Sequence, residues 1–284
     1  MKRAVDIVVL SDVQLGSNLC KSKELLNYLE SVEIGTLILN GDFICFAKLQ
    51  ETPLPKAHIQ VIQKVLKIAS EMTKVYYLSG DQDAKLKKQL NSPFNQFHFR
   101  DNLNLQLKGK SYWIFHGDVL DFSLLGPSFG RNIHQYNYRQ LVKYNAIHKK
   151  ISRLLGFTAF QKNTTKTANY IQQFEDKALR MASYHSCDYI ICGHTRQAQM
   201  KTKEINGKKV TYLNAGDWQN HLTALEYKWN HWSIFEYESS DYQHLNTNSP
   251  SKIDSFNYEV NAFTPASTQI IEDFLRVNTL RIAR

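Results

Sequence analysis

The sequence predicts an α/β protein built on a largely parallel sheet, and three features predict it. From Val5 to about Gly117, short runs rich in Val, Ile, Leu and Tyr alternate with helical patterns. That strand, helix, strand order closes into a parallel sheet through right-handed crossovers. Five of the apolar runs before residue 200 stop abruptly at Gly, Asp or His. Finally, strand signals return at 188–192, 209–214, 222–227 and 231–237, the last three close enough in sequence for antiparallel pairing.

The five stops are Val8-Val9-Leu10-Ser11-Asp12-Val13-Gln14, Leu37-Ile38-Leu39-Asn40-Gly41-Asp42, Val75-Tyr76-Tyr77-Leu78-Ser79-Gly80-Asp81-Gln82-Asp83, Trp113-Ile114-Phe115-His116-Gly117-Asp118 and Tyr189-Ile190-Ile191-Cys192-Gly193-His194-Thr195-Arg196. A carboxylate or imidazole at the end of a buried strand is held by the sheet and faces a cleft, so ligands distant in sequence can converge there. Between the strands, residues 57–72 place Ile59, Ile62, Leu66 and Ala69 at helical spacing. From Gly126 to Tyr184 the pattern turns wholly helical. Leu141, Tyr144, His148 and Ile151 form one stripe, and Ile171, Phe174, Ala178 and Met181 another. This span reads as a helical cap, 126–184, inserted in a domain of residues 1–238. Beyond it, 239–264 reads as a polar linker and 265–284 as an amphipathic helix with a basic end. That last helix fits docking on the domain or lying on a membrane surface.

Composition narrows the class further. The 284 residues are 43% hydrophobic and 21% charged, as in a globular protein. No apolar run approaches the roughly 18 to 20 residues of a membrane span, and the start, Met1-Lys2-Arg3-Ala4-Val5-Asp6, reaches a charge before any signal-like apolar core develops. A cytoplasmic protein is expected, with peripheral contact on an anionic inner membrane face as its membrane option. Cys20, Cys45, Cys187 and Cys192 are spaced neither as a zinc knuckle nor as a redox pair and read as reduced thiols. Of the net charge of +9, most sits in 126–183, where ten Lys and Arg face only Glu175 and Asp176. A concentrated basic surface attracts phosphates, anionic headgroups or nucleic acid, although a solvated helical face has the same composition. Tyr136, Tyr138 and Tyr144 among these charges could stack bases, but their helical spacing favours packing, and nucleic acid is the least favoured partner.

In order, the five stops resemble the motif set of the calcineurin-like metallophosphoesterases: Asp-x-His, Gly-Asp-x-x-Asp, Gly-Asn-His-Asp, a His before Gly-Asp, and Gly-His-x-His. Ser11-Asp12-Val13-Gln14-Leu15-Gly16-Ser17, Phe115-His116-Gly117-Asp118, Ile191-Cys192-Gly193-His194 and Tyr212-Leu213-Asn214-Ala215-Gly216-Asp217-Trp218 look most like the UDP-2,3-diacylglucosamine hydrolase branch. The resemblance covers about residues 5–237. It implies a four-layer sandwich, two mixed β-sheets flanked by helices, with a helical cap. It also implies two divalent ions roughly 3.5 to 4 Å apart that activate water for attack on phosphorus. Carried over by position, Asp42 is the bridging carboxylate. Asp12, Gln14 and Arg196 fall at the first metal, and Asp81, His116 and His194 at the second.

Five positions depart from the pattern: Gln14 for His, Cys45 for Asp, Asp81 for Asn, Gln82 for the third-motif His, and Arg196 for the last His. A guanidinium has donors only and keeps its proton, so it cannot ligate a cation. The expected site therefore holds one ion, Mn or Zn, on Asp42, Asp81, His116 and His194, with Asp12 and Gln14 as weaker ligands. Asp12, Arg196 and Gln82 form the expected catalytic group, with Arg196 paired to Asp12, standing in for the missing ion and able to hold a phosphate. Arg131, Arg139, Lys143 and Arg153 are expected to draw in the substrate. Asn214 either touches it or, with Asp217 and Trp218, serves the fold. Two functions compete. One is a phosphoric ester or anhydride hydrolase acting on a phosphorylated small molecule or lipid-linked precursor such as that of lipid A. The other is a catalytically inactive relative that binds a phosphorylated lipid or nucleotide or regulates a partner.

Overall fold

The computed structural model describes residues 2–45, 48, 54–80, 96–121, 138, 140, 141, 143, 147 and 168–242. The element order is β1 (Arg3–Leu10), α1 (Ser22–Ser31), β2 (Val32–Asn40), α2 (Lys56–Ser70), β3 (Lys74–Leu78), β4 (Phe97–Arg100), β5 (Leu103–Leu107), β6 (Lys110–Ile114), α3 (Ala168–Tyr184), β7 (Tyr189–Cys192), β8 (Gln199–Ile205), β9 (Lys208–Asn214), β10 (Thr223–Lys228) and β11 (His231–Glu236). One sheet has the order β11-β10-β1-β2-β3-β4 and the other β5-β6-β7-β9-β8. Strands β1 to β4 are parallel, as are β6, β7 and β9, while β5, β8, β10 and β11 pair antiparallel. Both sheets are mixed, as the resemblance implies.

Alternation along the central strands makes the layers. Val8 and Leu10 of β1 and Leu37 and Leu39 of β2 pack with Leu25 and Leu29 of α1 and Val61 and Val65 of α2. Val9 and Ile38, one residue out of step, pack instead against Ile114, Ile191 and Leu213 of the second sheet. The other face of that sheet, with Trp113, Phe115, Ile190, Cys192 and Tyr212, packs against Phe174, Ala178, Leu179 and Met181 of α3. A strand apolar on both faces must be covered twice. Helices, sheet, sheet and helix therefore stack in four layers. Each fully buried aliphatic side chain contributes about 1.5 to 3 kcal/mol.

Three sequence expectations change. Residues 209–214 do not join the other two C-terminal strands: β9 lies in the second sheet, parallel to β7 and antiparallel to β8, while β10 and β11 form the hairpin at the edge of the first. The partner β8 has no apolar run because it is an edge strand with Lys201 and Lys203 on its inward-leaning positions. Within the expected cap, residues 168–184 form the outer helical layer itself, and Leu141 packs with them; the lesser part of this span that is described thus belongs to the sandwich. The proposed linker begins differently as well. Residues 239–242 make a short helical turn that buries Tyr242, stacked on Tyr237 with ring centroids 4.5 Å apart. The remainder of the linker and the terminal helix lie outside the described residues. The helix expected at 57–72 spans Lys56–Ser70, and its buried face runs through Val61, Val65 and Ile68, with Ile59 and Ile62 only partly covered.

Candidate metal and phosphate site

All five stops fall at the carboxyl ends of strands, namely β1, β2, β3, β6 and β7. The loops after β1 and β2 run side by side past their strands. Asp12 N donates to Gly41 O (3.1 Å), Gln14 N to Asp42 O (2.9 Å) and Leu15 N to Phe43 O (2.8 Å). Asp12, Gln14, Asp42, His194 and Arg196 all have left-handed backbones, with φ between 51° and 60°. For residues with a Cβ this costs about 1 kcal/mol or more each. Lys108, Asn206, Trp229 and Asn230 adopt the same region in hairpin turns, where such φ values are routine. At the site they are imposed on the motif positions themselves. Close approach explains two motif glycines: a Cβ at Gly193 would overlap Ser11 Oγ, and one at Gly80 would overlap Asp42 Oδ1.

Asp12, Asp42 and His116 are brought together, each buried, with one ligand atom apiece lying within 4.8 Å of the others. His116 Nδ1 lies 2.9 Å from Asn40 O, which can only accept, so Nδ1 carries a hydrogen and Nε2 is the other face of the ring. Nε2 is buried and makes no hydrogen bond among the described residues; it stands 3.6 Å from Asp42 Oδ2, beyond hydrogen-bond range. Burial disfavours the charged ring, but the carboxylates of Asp42 and Asp12 outweigh it and push its pKa up to about 10. Two oxygen donors and one imidazole nitrogen, with slack between them, fit a divalent ion. A carbonyl-anchored imidazole is also the usual support of a metal-binding histidine.

Asp12 sits on the border of this cluster. Its Oδ2 accepts from Ser11 Oγ (2.7 Å) and from the backbone N of His194 (2.9 Å), and its Oδ1 accepts from Arg196 Nε (3.2 Å). Arg196 Nη1 donates to Gln219 Oε1 (3.3 Å), and Gln219 Nε2 donates to Gln14 Oε1 (2.9 Å). A continuous polar chain thus occupies the positions that the motif pattern assigns to the first ion. His194 stands beside His116, with ring centroids 5.3 Å apart, but its Nε2 meets Asp121 Oδ2 at 3.3 Å. Asp81 and Gln82 lie outside the described residues, as do Arg131, Arg139 and Arg153. Lys143 is exposed.

Asn214, expected among the substrate contacts, is fully buried. Its Nδ2 reaches Gly193 O, Thr195 Oγ1 and Tyr212 Oη at 2.8–2.9 Å, and its Oδ1 accepts from Gly216 N. It fixes the loop that carries His194 and Arg196. Asp217, also fully buried, accepts from the backbone N of Asn220 and His221, and Trp218 is core. Sequence reasoning missed Gln219 and Asp121. Gln219 had no signal beyond following Trp218. Asp121 had a faint one, a second carboxylate a single short helical turn after His116-Gly117-Asp118.

The motif order and the two-sheet sandwich point to one class, and the chain belongs to it: the domain of the calcineurin-like phosphoesterase superfamily matches residues 5–236. Among curated proteins, the chain is similar to the UDP-2,3-diacylglucosamine hydrolases of Psychromonas ingrahamii (23% identity over 156 residues, 54% of this chain and 63% of that protein) and Aliivibrio fischeri (24% over 159 residues, 54% and 65%). It thus spans slightly less than two thirds of the length of each. Among solved structures, an archaeal phosphodiesterase aligns over 81% of this chain and 98% of its own at 14% identity, with a TM-score of 0.41. No described helix is long and apolar enough to cross a membrane, and the four cysteines are free.

Proposed function

We propose that this protein is a metal-dependent phosphoric ester or anhydride hydrolase that works with a single ion, held by Asp12, Asp42 and His116. The orphaned Nε2 of His116 carries the reading: it is a buried imidazole nitrogen with its other nitrogen anchored and a carboxylate just out of reach. A divalent ion here supplies Lewis-acid activation of a phosphoryl oxygen and of water. The chain's own groups do the rest. Asn40 O fixes the His116 tautomer, while Ser11 Oγ and the His194 backbone N orient Asp12. Low identity to hydrolases that act on a UDP-linked diacylglucosamine supports a nucleotide-linked lipid precursor as the substrate. Asp81 and His194 complete the coordination in this reading, and the basic segment 126–183 draws in the anionic substrate or an anionic membrane face. The test combines metal analysis with turnover of a generic phosphodiester and of the UDP-sugar lipid, with Mn, Zn and Mg each supplied. One equivalent of ion and turnover lost in Asp42→Ala support the proposal. An absence of turnover with every metal rejects it.

A second reading has its own observation. Arg196 is ion-paired to Asp12 and locked to Gln219 where the family's first ion belongs, which suits a relative that binds phosphorylated ligands without cleaving them. Retained ligand binding with no turnover favours it.

A further inference from the structure

The polar chain Asp12–Arg196–Gln219–Gln14 has a direction, and arginine sets it. A guanidinium only donates, so Gln219 must turn Oε1 toward Arg196 and Nε2 toward Gln14. Gln14 must in turn offer Oε1 to Gln219, which leaves its own Nε2 on the other side. Gln14 is 8% exposed, and that amide nitrogen has no hydrogen-bond acceptor among the described residues. Of the five N–H donors of a guanidinium, Nε–H goes to Asp12 and one Nη1–H to Gln219. The other three likewise find no acceptor among the described residues, and the side chain is 36% exposed. The donor set of this half-site is therefore inverted relative to a metal site: acceptors are turned inward and N–H groups are left over.

We infer that the Gln14–Arg196 half of the site is an oxyanion subsite that grips a phosphoryl oxygen directly, with Gln219 as its positioning residue. The choice of a phosphoryl group as the anion rests on the phosphoester reading above; the donor geometry is independent of it. The Asp12 carboxylate does not close the subsite, because it is engaged at Nε, and beyond the Nη1–H given to Gln219 three N–H groups find no acceptor among the described residues. A planar fork beside an amide donor suits a tetrahedral oxyanion with several oxygens better than a single carboxylate.

The experiment titrates inorganic phosphate, dimethyl phosphate and acetate into metal-loaded and into chelator-treated protein by calorimetry. Phosphate and dimethyl phosphate are expected to bind in both states and acetate more weakly. Arg196→Ala should weaken phosphate binding about tenfold or more, the loss expected for a charge-assisted contact. Gln14→Leu and Gln219→Leu should weaken it by less. A companion measurement on the unaltered protein guards against misfolded variants. The ¹⁵N resonance of Arg196 Nε, identified by its absence in Arg196→Lys, should shift as phosphate is added. A static resonance, or phosphate binding unchanged in Arg196→Ala, overturns the inference. Turnover that survives such a result leaves the hydrolase reading intact. Arg196-dependent phosphate binding without turnover removes that reading and keeps the subsite.

Discussion

The two halves of the site share Asp12 and differ in their side-chain donors and acceptors. On one side, Asp42 and His116 present acceptors to one another across a gap too long for a hydrogen bond. On the other, Gln14, Gln219 and Arg196 are joined donor to acceptor without a gap. The first arrangement is stable only if something positive enters or the imidazole keeps a proton. The second supplies its own positive charge. Strand-end geometry alone therefore does not make a metal site, for both halves use the same left-handed backbone positions; the side-chain donor set decides.

The largest contrast should appear in metal content. His116→Ala is expected to abolish binding of the ion, while Gln14→Ala leaves its stoichiometry unchanged, as measured by mass spectrometry of metal-loaded protein. Equal loss in both variants would erase the distinction between the halves. Gly193→Ala should act on both together. Its Cβ would collide with Ser11 Oγ and push the β7 loop off the β1 loop, costing about 1 to 3 kcal/mol in urea unfolding. Wild-type stability in that variant would mean that the loops are not tightly apposed. Asn214→Ala frees buried carbonyl and hydroxyl groups at Gly193, Thr195 and Tyr212 and should cost about 1 to 3 kcal/mol.

The smallest effect is a pH dependence beside Gln14. His58 Nδ1 accepts from Gly16 N at 2.8 Å and so is unprotonated, and burial holds its pKa below the ordinary histidine value. The unfolded chain then binds a proton that the folded chain refuses. Stability contributed by neutral His58 is complete above pH about 6.5 and declines as pH falls below it, by at most about 1.4 kcal/mol per unit. In His58→Gln that part of the slope should vanish from unfolding curves.

Much of this was legible in the sequence, for reasons that particular residues make plain. The apolar run ending in Asp42 is buried on both faces, so its length and its abrupt polar stop were visible together. The stripe Phe174, Ala178, Met181 announced a helix, but nothing in it said which sheet the helix covers. Strand β8 escaped notice because an edge strand alternates polar and half-buried residues. Arg196 could be read as incompatible with a cation from its chemistry alone. Its partner Gln219 could not be found that way, since a glutamine carries no periodicity or motif and its role arises only when three loops meet. Asn214 was ambiguous for the opposite reason: a motif residue serves the fold or the ligand, and the sequence did not show the hydrogen bonds by which its side chain holds Gly193, Thr195 and Gly216.

The most direct test of the account is the number of divalent ions bound by the protein and by the double variant Gln14→His/Arg196→His. The account predicts one equivalent in the natural sequence and two in the variant, where acceptors replace donors. Two equivalents in the natural sequence, with Arg196 in place, would contradict it.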